Sequence, residues 1–241
     1  LEKLDPAMRD KSGAVMLSGP ATIAPGRFYI MGLNPGGDPE ELPASIDENL
    51  APPDGGSSYT DECWHKPCKD KRDCEHLKNG RLQPDSRVRH QLNMIRLAAI
   101  LGHATPATLP SANAIFGRSE SLAMLKKQSE FDGGTWWRAC WPVHQALLNV
   151  VRPTAIITLG YGMNTSAFGF LHQLASGAEI EKVGVSRRDG KTFSCRLDLC
   201  ASTLETRVIG VPHPSYHALG NVLEDTLRAL SATAPVPSET T

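Results

Sequence analysis

Along this chain, short unbroken apolar runs alternate with stretches in which apolar residues recur every three or four positions. Residues 27–32 (Arg-Phe-Tyr-Ile-Met-Gly) and 154–159 (Thr-Ala-Ile-Ile-Thr-Leu) are the clearest runs, as expected of strands buried on both faces. Residues 107–116 and 207–211 read as two further strands. Residues 87–101 place Val88, Leu92, Ile95 and Ala99 at helical spacing before Gly102, and 119–127, 136–151, 160–174 and 216–230 read as helices or turns leading into them. Residues 180–185 and 192–197, joined through Asp189-Gly190, predict a hairpin. Residues 36–61, rich in Pro, Gly, Ser and acids, predict a long exposed loop with at most a short helix. Strands alternating with helices predict an α/β fold, a parallel sheet covered on both faces. A single domain is expected over residues 1–232, with an acidic and then Cys/Lys-rich insertion at about 38–89, and a disordered tail is expected at 233–241.

Composition supports a packed core and narrows the functional classes. The chain has 241 residues, 40% of them hydrophobic, enough to bury one sizeable core. No run approaches the roughly 18 to 20 apolar residues that cross a bilayer. The first residues carry Glu2, Lys3, Asp5, Arg9, Asp10 and Lys11 where a signal peptide is apolar, so a cytoplasmic protein with no membrane partner is expected. A net charge of −1 argues against an indiscriminate nucleic-acid binder. That average hides an asymmetry: residues 36–62 hold eight acids and no Lys or Arg, which leaves +7 on the rest, enough for a basic face toward a polyanion.

In a parallel sheet, ligands gather at the carboxyl ends of the strands. Those ends supply Gly32-Leu-Asn-Pro-Gly-Gly37, Asn113-Ala-Ile-Phe-Gly-Arg118, Gly160-Tyr-Gly162 and Pro212-His-Pro-Ser-Tyr-His217. A Gly/Asn/Pro turn after a strand is by itself usually only a turn, and a phosphate loop is excluded because its Lys-Ser/Thr pair is missing. A lone His213 between prolines is likewise more often structural than catalytic.

In combination, these elements resemble the uracil-DNA glycosylase superfamily, and most closely its Gly-x-Asn-Pro-Gly branches, the mismatch-specific and single-strand-selective monofunctional enzymes. The matching elements are Gly32-Leu33-Asn34-Pro35-Gly36, Asn113 at a strand end and His213-Pro214-Ser215 after the last strand, in the family's order. Residues 154–160, preceded by Arg152-Pro153, resemble a further strand of that family. The resemblance implies three α/β/α layers around a central, mainly parallel four-stranded sheet. It also implies a monomer that acts on DNA, flipping out a pyrimidine nucleotide and hydrolysing its N-glycosidic bond without an organic cofactor.

The chemistry suits the residue types. Breaking the bond between deoxyribose and a pyrimidine N1 builds positive charge on the sugar and negative charge on the base, and needs a held water. By resemblance, Asn34 orients that water, with Gly32, Leu33, Pro35 and Gly36 shaping the site, while Asn113 reads the base edge. His213 donates to the base O2 as a neutral imidazole. Ser215 contacts a phosphate, and Tyr216 and His217 stand where the family fills the hole left by the flipped nucleotide, although neither is the usual aliphatic wedge. The matched motifs hold no Lys, so a Schiff-base lyase step is unsupported and the product is an intact abasic site. Uracil-selective members place a bulky aromatic after the motif's proline, and here that place is Gly36. The substrate is therefore either uracil or a bulky C5-modified cytosine of the hydroxymethylated or glucosylated phage type, the latter implying antiviral defence. Two other readings stay open: a non-catalytic binder of abasic or modified DNA, and a hydrolase of free nucleosides.

Cys63-x4-Cys68-x5-Cys74, with His65 and His76, lies among Lys66, Lys69, Lys71, Arg72, Lys78 and Arg81. Cys63, Cys68, Cys74 and His76 are candidate ligands of a structural zinc or an iron–sulfur cluster, the alternative being free thiols on a basic loop that tracks phosphates or lids the pocket. Cys140 stands where iron–sulfur members of the superfamily place a ligand. Trp136, Trp137 and Trp141, at helical spacing, are expected in the core rather than stacked on bases.

Overall fold

The computed structural model describes residues 2–65, 68, 74–79, 81–127, 133–176, 178–184, 186 and 189–233. Its elements run α1 (Pro6–Arg9), β1 (Phe28–Gly32), α2 (Ser58–Asp61), β2 (Leu77–Lys78), β3 (Arg81–Leu82), α3 (Arg89–Ile100), β4 (Ser111–Asn113) and α4 (Leu122–Lys127). They continue with α5 (Gly133–Val151), β5 (Ala155–Leu159), α6 (Ala167–Leu174), β6 (Glu181–Val183), β7 (Gly190–Asp198), β8 (Thr203–Val211) and α7 (Asn221–Thr233). The expected tail beyond Thr233, and Lys66, Lys69, Lys71 and Arg72, lie outside the described residues.

The main sheet has the order β4-β1-β5-β8-β7-β6, with the first four strands parallel and the last two antiparallel. It therefore has six strands rather than the expected four. The predicted hairpin accounts for the difference: β7 is nine residues long and pairs along β8, carrying β6 to the edge. All five residues of β1 and of β5 are buried, because central parallel strands are covered on both faces.

Period two along the central strands sends side chains to two separate cores. Tyr29, Met31, Ile156 and Val208 face Trp136, Trp137, Cys140, Phe168 and Leu171 of α5 and α6. Phe28, Ile30, Ile157 and Ile209 face Met94, Leu97, Ala98, Leu223 and Leu227 of α3 and α7. The tryptophans are core, as expected: Trp136 and Trp137 are buried, and Trp137 stacks on Phe170 with ring centroids 5.3 Å apart.

Three local expectations need correction. Helix α3 buries Met94, Leu97, Ala98 and Ile100, while Leu92 is 50% exposed, so its inward face is not the Val88/Leu92/Ile95/Ala99 stripe. Gln91 fixes that rotation: it is fully buried, its Oε1 accepts from Val88 N and its Nε2 donates to Glu62 O. The run 107–116 forms only the short strand β4, because Pro106 opens a 3-10 turn and the chain leaves the sheet after Asn113. Helix α7 starts at Asn221, so Tyr216 and His217 stand in a turn before it. The N-terminal segment, for which the pattern gave no element, runs past β4 through bridges Met16↔Ala112 and Gly13↔Gly117. The acidic loop holds a short helix, α2; two of its acids close local turns, Asp38 accepting from Glu40 N and Asp61 from Ser57 N, while Asp54 accepts from Ala21 N and ties the loop to the N-terminal segment.

Candidate active site

The sheet's register brings the three sequence elements to one end. Gly32 pairs with Asn113, Met31 with Thr158, and Leu159 with Val211, so the loops after β1, β4, β5 and β8 emerge together. β1 and β8 are separated only by β5, which sets the Asn34 and His213 loops about 10 Å apart, two strand spacings.

Asn34 is held by its own amide. Its Nδ2 donates to Pro35 O at 2.9 Å and to Ser119 O at 3.1 Å. Two carbonyl acceptors fix which end of the side chain carries nitrogen. With both N–H groups spent, Oδ1 is the group left to accept a hydrogen bond, the form in which an amide can orient a water. The loop is cross-tied further: Ser119 N donates to Pro35 O, Arg118 Nη1 donates to Gly36 O at 2.6 Å, and Arg118 Nε donates to Ser12 Oγ. Arg118 is buried, which lowers its pKa, and the Glu62 carboxylate opposes that shift.

Asn113 lies against Gly32. A Cβ at Gly32 would stand 3.2 Å from Asn113 Oδ1, so the missing side chain gives the amide its place. Asn113 donates from Nδ2 to Ala14 O at 3.3 Å and is 2% exposed. The amide is therefore nearly closed off from solvent. Beneath it, fully buried His144 contacts Ala114 O and Tyr29 Oη. Burial lowers its pKa to about 4, so it is a neutral core group.

His213 is half-buried, and Nδ1 accepts from Ser215 N at 3.3 Å. The backbone N–H dictates the tautomer: in the neutral ring the proton sits on Nε2, which is then a donor. Burial lowers its pKa, which favours that neutral form. Gly160 beside the ring has φ +96°, a left-handed conformation that favours glycine, while a Cβ there would make only ordinary contact with His213 Cδ2, at 4.0 Å. The turn is built on His213 O, which accepts from Tyr216 N and His217 N. Helix α3 grips it: Asn93 Nδ2 donates to Pro214 O at 2.6 Å, and His90 Nδ1 pairs with Ser215 Oγ at 3.0 Å. His90 also sets its ring edge-on to His213 at 5.4 Å, and burial first, then the charge of His213, lowers its pKa to about 3.

The candidate DNA-contact residues separate. Ser215 Oγ is engaged with His90, and Ser215 is not at a helix start, whereas Tyr216 is 70% exposed and His217 is exposed. Beside them a cavity of about 200 Å³ is lined by Arg89, Asn93, Tyr216, His217 and Ala218. A larger one of about 690 Å³, lined by residues such as Phe28, Ala155 and Arg207, opens at the opposite end of the strands, away from these loops. Gly36 faces open space, with nothing within 4 Å of the position of a Cβ, whereas Gly37 is walled by Leu42 at 2.8 Å.

The cysteine segment also comes together. Cys63, Cys68, Cys74 and His76 place one ligand atom each within 4.8 Å of the others, a group that could bind a metal ion. Cys140 takes no part: it is buried in the α5 core, accepts from Phe116 N, and its thiol is pushed up to about 12 by burial. The iron–sulfur role suggested by its position is therefore not supported by its surroundings. His65 instead stacks on His76 at 4.5 Å and contacts Ser86 O.

Sequence reading missed Arg118, Ser119, His90 and Asn93. The first two follow the Asn113 strand end directly, and the last two lie three apart on one helix face, a spacing that could have flagged a shared target. Comparison with family models, curated proteins and solved structures yields no match for the chain.

Proposed function

We propose that this protein is a monofunctional DNA glycosylase of the uracil-DNA glycosylase type, with the four parallel strands β4-β1-β5-β8 as its catalytic sheet. One observation carries the reading: at one sheet end, Asn34 has both N–H groups tied to carbonyls and His213 has Nδ1 tied to a backbone N–H. A fixed acceptor and a fixed donor thus stand at the same end of the sheet, on loops about two strand spacings apart. Hydrolysis of an N-glycosidic bond needs that pair, an acceptor to direct water at the sugar carbon and a donor to meet charge on the departing base.

The sequence of events follows from these groups. DNA binding and flipping bring the base over Asn113, with exposed Tyr216 filling the vacated stack. As the bond lengthens, His213 Nε2–H stabilises the base anion, and water oriented by Asn34 Oδ1 joins the sugar cation. An amide is too weak a base to deprotonate water before bond breaking, so cleavage is dissociative, and after attack the water's proton passes to the departed base anion, directly or through solvent. The Cys3His group holds a structural metal ion and takes no part in the reaction.

Gly36 supports a substrate class. The open space beside it accommodates a large C5 substituent, where an aromatic side chain would exclude one, which favours a modified cytosine over uracil. Oligonucleotides bearing uracil, thymine, cytosine, hydroxymethylcytosine or glucosylated hydroxymethylcytosine, incubated with the protein and then cleaved at abasic sites with alkali, test the proposal. Cleavage at a modified cytosine supports it. Cleavage at uracil alone rejects the substrate class, and no cleavage at any base, with binding retained, favours a non-catalytic binder.

A further inference from the structure

We infer that Cys63, Cys68, Cys74 and His76 hold a single zinc ion, and that this ion sets the aromatic wall behind His213. The first argument is geometric. Three thiol sulfurs surround the same nitrogen, His76 Nδ1, at 3.6 Å from Cys63, 3.3 Å from Cys68 and 3.8 Å from Cys74. One imidazole nitrogen carries a single proton or a single lone pair, so it can hydrogen-bond with only one of the three. A tetrahedral zinc with Zn–S of about 2.3 Å and Zn–N of about 2.0 Å has sulfur–nitrogen edges of about 3.5 Å, within the observed spread. An iron–sulfur cluster would interpose its own iron and sulfide between the thiolates, and four donors within 4.8 Å leave no room for that.

The second argument is energetic. The strands β2 and β3 between these ligands and α3 are two residues each, too short to stand without a core or a staple. All six cysteines are free, so no disulfide supplies one. Four protein ligands close the coordination shell, which makes the ion structural rather than catalytic.

The wall follows from what adjoins Cys63. Glu62 O accepts from Gln91 of α3, and Glu62 Oε2 accepts from Trp64 Nε1. Trp64 sets its ring edge-on to His90 at 5.1 Å and to Tyr59 at 5.6 Å, and His90 in turn stands against His213 at 5.4 Å. Closing the ligand shell at Cys63 therefore pins the residue that packs on the neighbour of His213.

Elemental analysis of the full chain, purified without a metal column from zinc-supplemented medium, tests this. About one zinc per chain is expected in the wild type and in Cys200→Ser, none in Cys68→Ser, and full retention in His76→Cys, which rebuilds a four-ligand shell. Imidazole NMR signals of His90 and His213 should shift when zinc is removed from the wild type. A folded wild type without zinc, iron with sulfide in its place, or zinc lost in Cys200→Ser would overturn the site. Unmoved His90 and His213 signals after zinc removal would overturn the coupling. The metal measurement uses no DNA: a zinc-free chain that releases base rejects this inference alone, and a zinc-loaded chain that releases none rejects the glycosylase reading alone.

Discussion

At the residue scale, the account rests on single groups whose hydrogen-bonding freedom has been reduced to one role. Asn34 keeps only Oδ1 free, so Asn34→Ala should remove most base release while DNA affinity, supplied mainly by phosphate contacts, stays near the wild-type value. Gel-shift and single-turnover assays on the same variant separate the two, and near-normal turnover would contradict the water assignment. His213→Ala removes one donor to a developing anion, which should raise the barrier by roughly 2 to 4 kcal/mol, about 30- to 1000-fold in rate. Circular dichroism of that variant must remain native, because loss of the fold would make His213 a structural residue. The donor form is the neutral ring with a lowered pKa, so activity should persist at neutral pH and fall only as acid protonates Nδ1 and breaks its bond from Ser215 N. Gly36→Phe should fill the open space and abolish action on a glucosylated base while sparing one without a C5 substituent. Equal loss on both substrates would mean that the loop, rather than the C5 face, had been disturbed.

Among elements, the parallel strands were legible because burial on both faces leaves unbroken apolar runs, as in β1 and β5. The motifs were legible because they follow those runs immediately. Less visible was anything decided by contacts distant in sequence. The rotation of α3 depends on Gln91 reaching Glu62, and a sequence that also offers the Leu92 stripe gives no local sign of which face wins. The edge position of β6 depends on β7 pairing with β8, not on the hairpin itself. The tertiary role of Arg118, tying the Asn34 loop to the N-terminal segment, also has no local sign. The helix-to-turn contacts from His90 and Asn93 likewise join residues more than a hundred positions apart. Element packing also makes a pH prediction. Burial lowers His144 from 6.5 to about 4 and His90 from 6.5 to about 3, so between those limits the unfolded chain binds more protons than the folded one. Stability is therefore fullest above 6.5 and falls as pH drops toward the folded values, by about 1.4 kcal/mol per pH unit for each group. Urea unfolding followed from about pH 7 to 4.5 should show a slope reduced by about one proton in His144→Gln. An unchanged slope would mean that His144 does not titrate on unfolding.

Taken as a whole, the molecule divides its labour across the sheet. The two cores cover its faces, and on the reading proposed above the loops at the carboxyl end carry the chemistry while the Cys3His segment braces one wall of the site. No helix among the described residues is long and apolar enough to cross a membrane. Two acids of the acidic stretch, Asp38 and Asp61, close its own turns, and on the proposed reading exposed Arg89 beside Tyr216 is a first candidate for a phosphate contact. The most direct test of the central claim is mass-spectrometric detection of free base after wild-type protein and Asn34→Ala meet the same oligonucleotide carrying a single glucosylated hydroxymethylcytosine. The account predicts free modified base and an intact strand bearing one abasic site with the wild type, and almost none with Asn34→Ala. Equal release by both proteins, or none by either on this oligonucleotide and on its uracil counterpart, would contradict it.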